Sequence, residues 1–396
     1  MSTRRPQVAM IAAGVTKWGA RQASYRDLAS EAGKNAFDSN PNLRPMDVDG
    51  IIASSVYPER SAYQGKVAPL LAETLGIRPR MFERVENQCG SGTAAIRTAQ
   101  WAIMAGAADV VAVVGVEKML LPNPGEVFTN ALAGLDRDWE GALGVTPPGA
   151  FALAAKAHME KYGTTEEQLA MVSVKNHAHS MKNPYAHFHK GPDLDAVMAS
   201  RPIATPFKLF DCAPNTDGAA VVVLANAERA KALCEDPVWM LGSGQGFDAY
   251  TMANMSRDWS YWPAIEQAGR GAYESAGLTS SDIDLLETHD CFTISEILQY
   301  EGLGLCERGE GGHFVESGGS DYGGKVVVNP RGGLLACGHP IGATGVAQAH
   351  EMFVQLRDEA GERQVDGAQV GMSLTMSNIG SEAHCVMWGT DEVAAA

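Results

Sequence analysis

Three unbroken apolar runs punctuate the chain, at Val8–Ala13, Val110–Val114 and Val221–Leu224. Runs of that length, with no polar alternation, predict strands buried on both faces, as in the middle of a parallel or mixed sheet. Between them the spacing of apolar positions turns helical. Ala94–Ala105 reads as a buried helix whose only charge is Arg97, and Thr164-Thr-Glu-Glu167 is a capping-box signal for a helix running toward Ser180. Strand and helix patterns alternate in both halves, which predicts an α/β fold with sheets covered by helices.

The pattern also repeats. Ala32-Gly-Lys-Asn-Ala-Phe-Asp followed by Met46-Asp-Val-Asp-Gly-Ile-Ile returns as Ala268-Gly-Arg-Gly-Ala-Tyr-Glu followed by Ser281-Asp-Ile-Asp-Leu-Leu-Glu. Each pair reads as an amphipathic helix, a turn, and a strand opening on Asp-β-branched-Asp. Further along, Gly90-Ser-Gly-Thr-Ala-Ala-Ile echoes Gly342-Ala-Thr-Gly-Val-Ala-Gln, a glycine-rich turn feeding a helix. The strand Asp217-Gly-Ala-Ala-Val-Val-Val-Leu has a weaker counterpart in Gly380-Ser-Glu-Ala-His-Cys-Val-Met. Four echoes in one order predict a duplicated domain. The expected division is 1–117 with 207–235 as the first half, 118–206 as an inserted layer over a pocket, and 236–396 as the second half.

Composition then narrows the function. The 396 residues are 45% hydrophobic and 20% charged, ordinary globular values. Lys and Arg number 31 against 47 Asp and Glu, so the net charge is 31 − 47 = −16. That acidity disfavours nucleic-acid binding, and an anionic ligand would need a local basic site. The seven cysteines (Cys89, Cys212, Cys234, Cys291, Cys306, Cys337, Cys385) form no CxxC pair, so neither a disulfide framework nor a zinc motif is indicated. The opening Met1–Met10 lacks a signal-like apolar run, and no stretch is long and apolar enough for a membrane span. A cytoplasmic, reducing environment is the expectation.

Three places carry candidate chemistry. Asn87-Gln-Cys-Gly-Ser-Gly-Thr sets Cys89 at the start of the buried helix. There, free N–H groups and the helix dipole favour a thiolate and a developing oxyanion; the alternative is a small buried residue at a turn. Gly338-His-Pro-Ile-Gly-Ala-Thr-Gly places His339 at the equivalent turn of the second repeat, as the partner of a Cys–His pair or as a helix cap. His289-Asp-Cys-Phe292 follows the second Asp-Ile-Asp strand, with either three proton-handling groups or a polar turn around a buried cysteine. Two patterns are set aside. Gly319-Ser-Asp-Tyr-Gly-Gly-Lys325 fits G-x4-G-K, but Val326 stands where Ser or Thr is required and no helix follows. His177, His179, His187 and His189 read as a solvated face rather than a metal site, since residues i and i+2 diverge on a helix.

On these residues the chain resembles the thiolase superfamily, in its sterol carrier protein X-type branch. The resemblance also covers Tyr162-Gly-Thr-Thr-Glu-Glu-Gln and Asn329-Pro-Arg-Gly-Gly-Leu-Leu-Ala-Cys-Gly-His-Pro-Ile-Gly-Ala-Thr-Gly. It implies two βαβαβαββ halves with five-stranded mixed sheets in αβαβα layers. It implies Cys89 as the acylated nucleophile, His339 as its activator, and His289 sharing an oxyanion site with His339. Cys291 would be the acid/base, and Gly380 would give a backbone N–H to a second oxyanion hole with Cys89. The Cys-x-Gly turn that usually carries the acid/base is Asn378-Ile-Gly380 here.

The activity implied is CoA-dependent C-acyl transfer, 3-oxoacyl-CoA plus CoA exchanging with acetyl- or propionyl-CoA plus acyl-CoA. CoA and acyl-CoA enter as substrates, with no bound cofactor or metal. Rival readings pass the acyl group to a non-CoA acceptor, or make the chain a subunit of a multi-enzyme complex. The resemblance further implies a homodimer or tetramer, and a small OB-fold partner of the kind some relatives have.

Overall fold

The computed structural model describes residues 7–255 and 258–395. The first six residues, where a leader was discounted, lie outside them. Ten strands form one mixed sheet: β1 (Val8–Val15), β2 (Gly50–Ser54), β3 (Met81–Val85), β4 (Val110–Glu117), β5 (Gly218–Asn226), β6 (Val238–Phe247), β7 (Leu285–Glu287), β8 (Val327–Val328), β9 (Val370–Ser377) and β10 (Glu382–Gly389). Their order is β8-β7-β9-β10-β6-β1-β5-β4-β2-β3.

That order is two five-stranded units placed edge to edge as mirror sequences. β1 matches β6, β5 matches β10, β4 matches β9, β2 matches β7 and β3 matches β8, each with the same parallel or antiparallel pairing. A short antiparallel ladder, Ala9 to Trp239 and Met10 to Val238, joins the units. The arrangement is that of two copies related by a twofold between β1 and β6, and it explains the repeats.

The repeated Asp-x-Asp has a matching use in each half. Asp47 and Asp282 end short 3-10 turns, where each carboxylate accepts the N–H that begins its own turn. Asp49 then accepts the N–H groups of Asp109 and Val110, where the chain enters β4; Asp284 accepts those of Gln369 and Val370, where it enters β9. The strands therefore open just after the Asp pair rather than on it.

The apolar runs occupy the middle of the sheet, with β1, β4 and β5 almost wholly buried. Helix Ser91–Met104 of the first half and helix Ile341–Gln355 of the second lie against each other. Their contact is a backbone one. A Cβ on Gly92 would stand 2.7 Å from the Gly345 nitrogen, and one on Gly345 would stand 2.5 Å from the Thr93 nitrogen.

Between β4 and β5 the chain leaves the sheet and builds helices Pro147–Tyr162 and Glu166–Ser180. Helix Glu166–Ser180 packs under the second half, against the turn Gly333–Cys337 and helix Thr293–Gly302. This corrects the solvated-face reading of its histidines. His177 and His179 are buried, His177 bonding to the Ser173 carbonyl and His179 to the Asn329 carbonyl and Asp321. An alternating-face argument fails for a helix covered on most sides. The discounted Gly319–Lys325 loop leads into β8, and Lys325 donates to the Leu305 carbonyl. No helix of the described residues is long and apolar enough to cross a membrane.

Because the two central helices touch through glycine backbone, Gly345→Ala should destabilise the protein by roughly 1–3 kcal/mol, the usual cost of overpacking. Urea unfolding followed by circular dichroism reads this directly, and an unchanged midpoint would contradict it.

Candidate active site

Cys89 sits on a single 3-10 turn, Gln88–Gly90, that delivers the chain from β3 into helix Ser91–Met104. Gln88 holds a left-handed φ of 47°, unusual for a residue with a side chain, and the Tyr57 hydroxyl donates to its Oε1 at 2.8 Å. The turn is tied to the other half as well. Ser377, at the end of β9, accepts from the Gly90 N–H at 3.0 Å, and its hydroxyl lies 2.6 Å from the Asn87 carbonyl. One small cavity, about 150 Å³, opens over the thiol, and His289, Cys291, His339, Asn378 and Ile379 line it too.

His339 precedes helix Ile341–Gln355, the second-half counterpart of the Cys89 helix. The Cys89 sulfur and the ring nitrogens of His289 and His339 lie within 4.8 Å of one another, and the two imidazoles meet edge to face at 4.9 Å. The structure brings these three predicted residues together, and Cys291 lines the same cavity.

Thr344 decides the protonation of His339. Its hydroxyl is 3.1 Å from the Pro340 carbonyl and donates there, so its oxygen accepts from His339 Nδ1 at 2.8 Å. Nε2 is then left as a lone pair, buried and without a protein partner. That is the tautomer of a base. His289 is held only through its backbone, its N–H donating to Gln299 Oε1 and its carbonyl accepting from Gln299 Nε2, while both ring nitrogens are buried and unpartnered.

Charge is expensive here. Burial pushes the Cys89 thiol up to about 12, with the Glu382 carboxylate adding to the effect and its own backbone N–H opposing it. Burial, with a smaller contribution from Arg331, lowers His339 to about 3. Burial first, then His339 and Arg331, holds His289 well below the usual imidazole range. Cys291 is raised well above the usual thiol range by burial and by Cys89. Dehydration of Cys89 thus opposes the anion that the helix terminus favours, and the low histidine pKa values favour neutral imidazoles beside it.

A cysteine and two histidines this close could be taken for a metal site. The donor set lacks the support such ligands need, since a ligating imidazole ordinarily donates its second nitrogen to a fixed acceptor and His289 has none.

Asp290, read from sequence as one of three proton-handling groups, turns away from the cavity. It accepts the N–H groups of Leu334 and Leu335 and the Asn176 amide. A Cβ on Gly333 would collide with its carboxylate. It shapes the turn that delivers His339. Gly380 has φ +77° and its Cα lies against the Trp262 ring, so no side chain is tolerated there.

Sequence reasoning missed Glu117 at the end of β4. This fully buried carboxylate accepts from the N–H groups of Val56, Tyr57 and Gly342, clamping the first-half loop to the start of the His339 helix. Burial raises it to about 7 despite those bonds. A lone glutamate after an apolar strand gives no local signal. Asn215 was missed too; it bridges His339 and lines the cavity.

Comparison with known proteins agrees with this geometry. Residues 8–191 match the thiolase N-terminal domain and residues 244–390 the thiolase C-terminal domain-like model. The chain is 41% identical over 378 residues to an acetyl-CoA acetyltransferase of Methanothermobacter thermautotrophicus, covering 95% of this chain and 97% of that one. It is 38% identical over 386 residues to sterol carrier protein 2 of Oryctolagus cuniculus, covering 93% and 69%. Among solved structures, an Ltp2-ChsH2(DUF35) aldolase superposes with TM-score 0.84 at 24% identity over 98% of this chain and 99% of that one. Human mitochondrial 3-ketoacyl-CoA thiolase in complex with CoA superposes with TM-score 0.72 at 18% identity over 97% and 98%. At those identities the superpositions speak for the fold.

With Cys89 held up at about 12, its thiolate fraction rises with pH and has no plateau near neutrality. Iodoacetamide labelling of the Cys89 peptide, followed by mass spectrometry, should accelerate roughly tenfold per pH unit from 7 to 10. Saturation below pH 8 would instead mean a preformed thiolate–imidazolium pair.

Proposed function

Since this chain belongs to the thiolase family, we propose that it catalyses CoA-dependent C-acyl transfer through an acyl-thioester on Cys89. The observation that carries the reading is the convergence of Cys89, His289 and His339 within 4.8 Å over the cavity that Cys291 also lines.

In the cleavage direction Cys89 passes its proton to His339 Nε2 as the sulfur adds to the 3-oxo carbon of a 3-oxoacyl-CoA. The resulting oxyanion meets the backbone N–H groups of Cys89 and Gly380. As it collapses, the C2–C3 bond breaks and its electron pair moves to the thioester oxygen, an enolate held by His289 and His339. Cys291 gives its proton to C2 and releases acetyl-CoA, or propionyl-CoA where C2 carries a methyl group. The Cys291 thiolate takes the proton of incoming CoA, whose sulfur attacks the acyl group. The shortened acyl-CoA departs, and His339 returns its proton to Cys89. Every proton and electron pair is restored.

The environment suits this cycle. Thiols exchange thioesters readily, and a neutral site binds a neutral carbonyl without a charge penalty. The unpartnered nitrogens of His289 and His339 face the place where negative charge develops, where one preorganised donor is worth about 3–4 kcal/mol of barrier. Asn378 cannot trade a proton, so Cys291 carries the carbon-acid step alone.

The same reading includes a division into a first half of 1–117 with 207–235, an insertion of 118–206 and a second half of 236–396, supported by the mirrored strand order. It includes a homodimer through β3. This is a free sheet edge with Phe82 exposed, next to Trp101 and Met104 exposed on the following helix. Seven free cysteines favour a reducing, cytoplasmic setting, and C-acyl transfer between CoA thioesters would give the chain a part in acyl-lipid metabolism. The fold shared with the Ltp2-ChsH2(DUF35) aldolase motivates co-purification as the check for a small partner protein.

Incubation with acetyl-CoA should add one acetyl group to the Cys89 peptide by mass spectrometry, and an unmodified Cys89 would refute the reading. Cys291→Ala should keep acetylation of Cys89 by acetyl-CoA while lowering 3-oxoacyl thiolysis by about 10²–10⁴-fold, the usual worth of a positioned acid/base. Equal loss of both activities would contradict the separation of roles. In sedimentation, Phe82→Glu with Trp101→Glu should convert the dimer to monomer.

A further inference from the structure

Two phenylalanine rings line the cavity over Cys89. Phe292 follows Cys291 directly, and Phe151 reaches in from helix Pro147–Tyr162; their ring centroids lie 4.5 Å apart. Phe207 stacks behind Phe292 at 5.4 Å, and Trp262 meets Phe151 edge-on at 5.8 Å. All four rings are buried within the largest apolar cluster of the second half. The Trp262 ring also presses on Gly380, so the wall adjoins the turn proposed to hold an oxyanion. A residue at the end of such a stack has no free volume to move into, and close-packed interiors resist displacement by even one methylene.

The space in front of the wall is about 150 Å³. A core cavity of about that size admits benzene, six heavy atoms. An acetoacetyl group also has six: four carbons and two oxygens. We infer that Phe151 and Phe292, backed by Phe207 and Trp262, form a chain-length stop that restricts the 3-oxoacyl chain presented to Cys89 to about four carbons, making short 3-oxoacyl-CoA thioesters the substrate class. The inference rests on the acyl-transfer reading above and deepens it, because that reading alone is indifferent to chain length. The two rings come from different parts of the chain, Phe151 from the segment between β4 and β5 and Phe292 from the second half. The stop therefore exists only when the segment is seated on the second half.

The test is thiolysis of acetoacetyl-CoA and 3-oxodecanoyl-CoA by the intact protein, with the Cys89 adduct monitored in parallel for acetyl- and decanoyl-CoA. Wild type should favour acetoacetyl-CoA in kcat/KM by at least about 100-fold, since misfit of a single methylene already costs 10–200-fold in a shaped pocket. Phe151→Ala should raise the ratio of long- to short-chain kcat/KM at least about tenfold. Phe151→Leu, a milder change, should move it the same way if the alanine variant folds poorly. Comparable kcat/KM for the two chain lengths in wild type, or a ratio unmoved in a folded Phe151 variant, overturns the stop while leaving acyl transfer in place. No adduct on Cys89 from either thioester overturns the acyl-transfer reading and the stop with it.

Discussion

The contact of Gly92 with Gly345 is the constraint on which the rest of the structure depends. Two helices that meet through backbone at this distance have their first turns side by side. The residues just before those turns are Cys89 and His339. A side chain at either glycine would push the helices apart, and with them Cys89 and His339. Glu117 and Ser377 finish the alignment from opposite ends. Glu117 takes N–H groups from both halves, and Ser377 ties the second-half hairpin to the Cys89 turn. The site is thus a product of the duplication itself, with the same element of each half lent a different chemical group.

Much of this was legible in the sequence because it follows from local pattern. Unbroken apolar runs marked the inner strands, the repeated Asp-x-Asp marked matching sheet entries, and the two glycine-rich turns marked the helices that meet. What stayed hidden depends on partners distant in sequence. Glu117 looks like an ordinary charge at a strand end until its three backbone donors, two of them near residue 56 and one at residue 342, are assembled. His177 and His179 look solvated because a capped helix with polar residues on several faces resembles a surface helix, whereas this one lies under the second half. Asp290 stands between two site residues, yet its side chain serves the backbone of another turn.

Two effects oppose each other at Cys89. A helix N-terminus favours an anion by about 0.3–1 kcal/mol at an exposed site, up to about 2 when partly buried. Desolvation of a buried thiolate can shift its pKa by several units, each worth about 1.36 kcal/mol. Cys89 is on the losing side of that comparison, and Glu382 adds a repelling charge. In the proposed reaction a thiol held neutral is activated in concert with attack, so the tautomer of His339 matters more than its basicity. Thr344 fixes that tautomer through a hydroxyl whose only proton is committed to the Pro340 carbonyl.

The same burial that silences the thiol also suits it to carbon–carbon chemistry. An enolate in water is stabilised by solvent that must reorganise around it; in this cavity the unpartnered nitrogens of His289 and His339 are already in place, fixed by Gln299 through the backbone and by Thr344 through the ring. Holding three buried imidazole nitrogens, both of His289 and Nε2 of His339, without protein partners costs stability, and in the proposed reaction that cost is recovered when oxygen carries charge beside them. In the proposed reaction the aromatic rings serve this end as well: Phe151 and Phe292 line the cavity without offering a polar group to compete for those nitrogens. Exclusion of bulk and organisation of donors are therefore two aspects of one packed interior, assembled where the two halves and the segment between β4 and β5 converge.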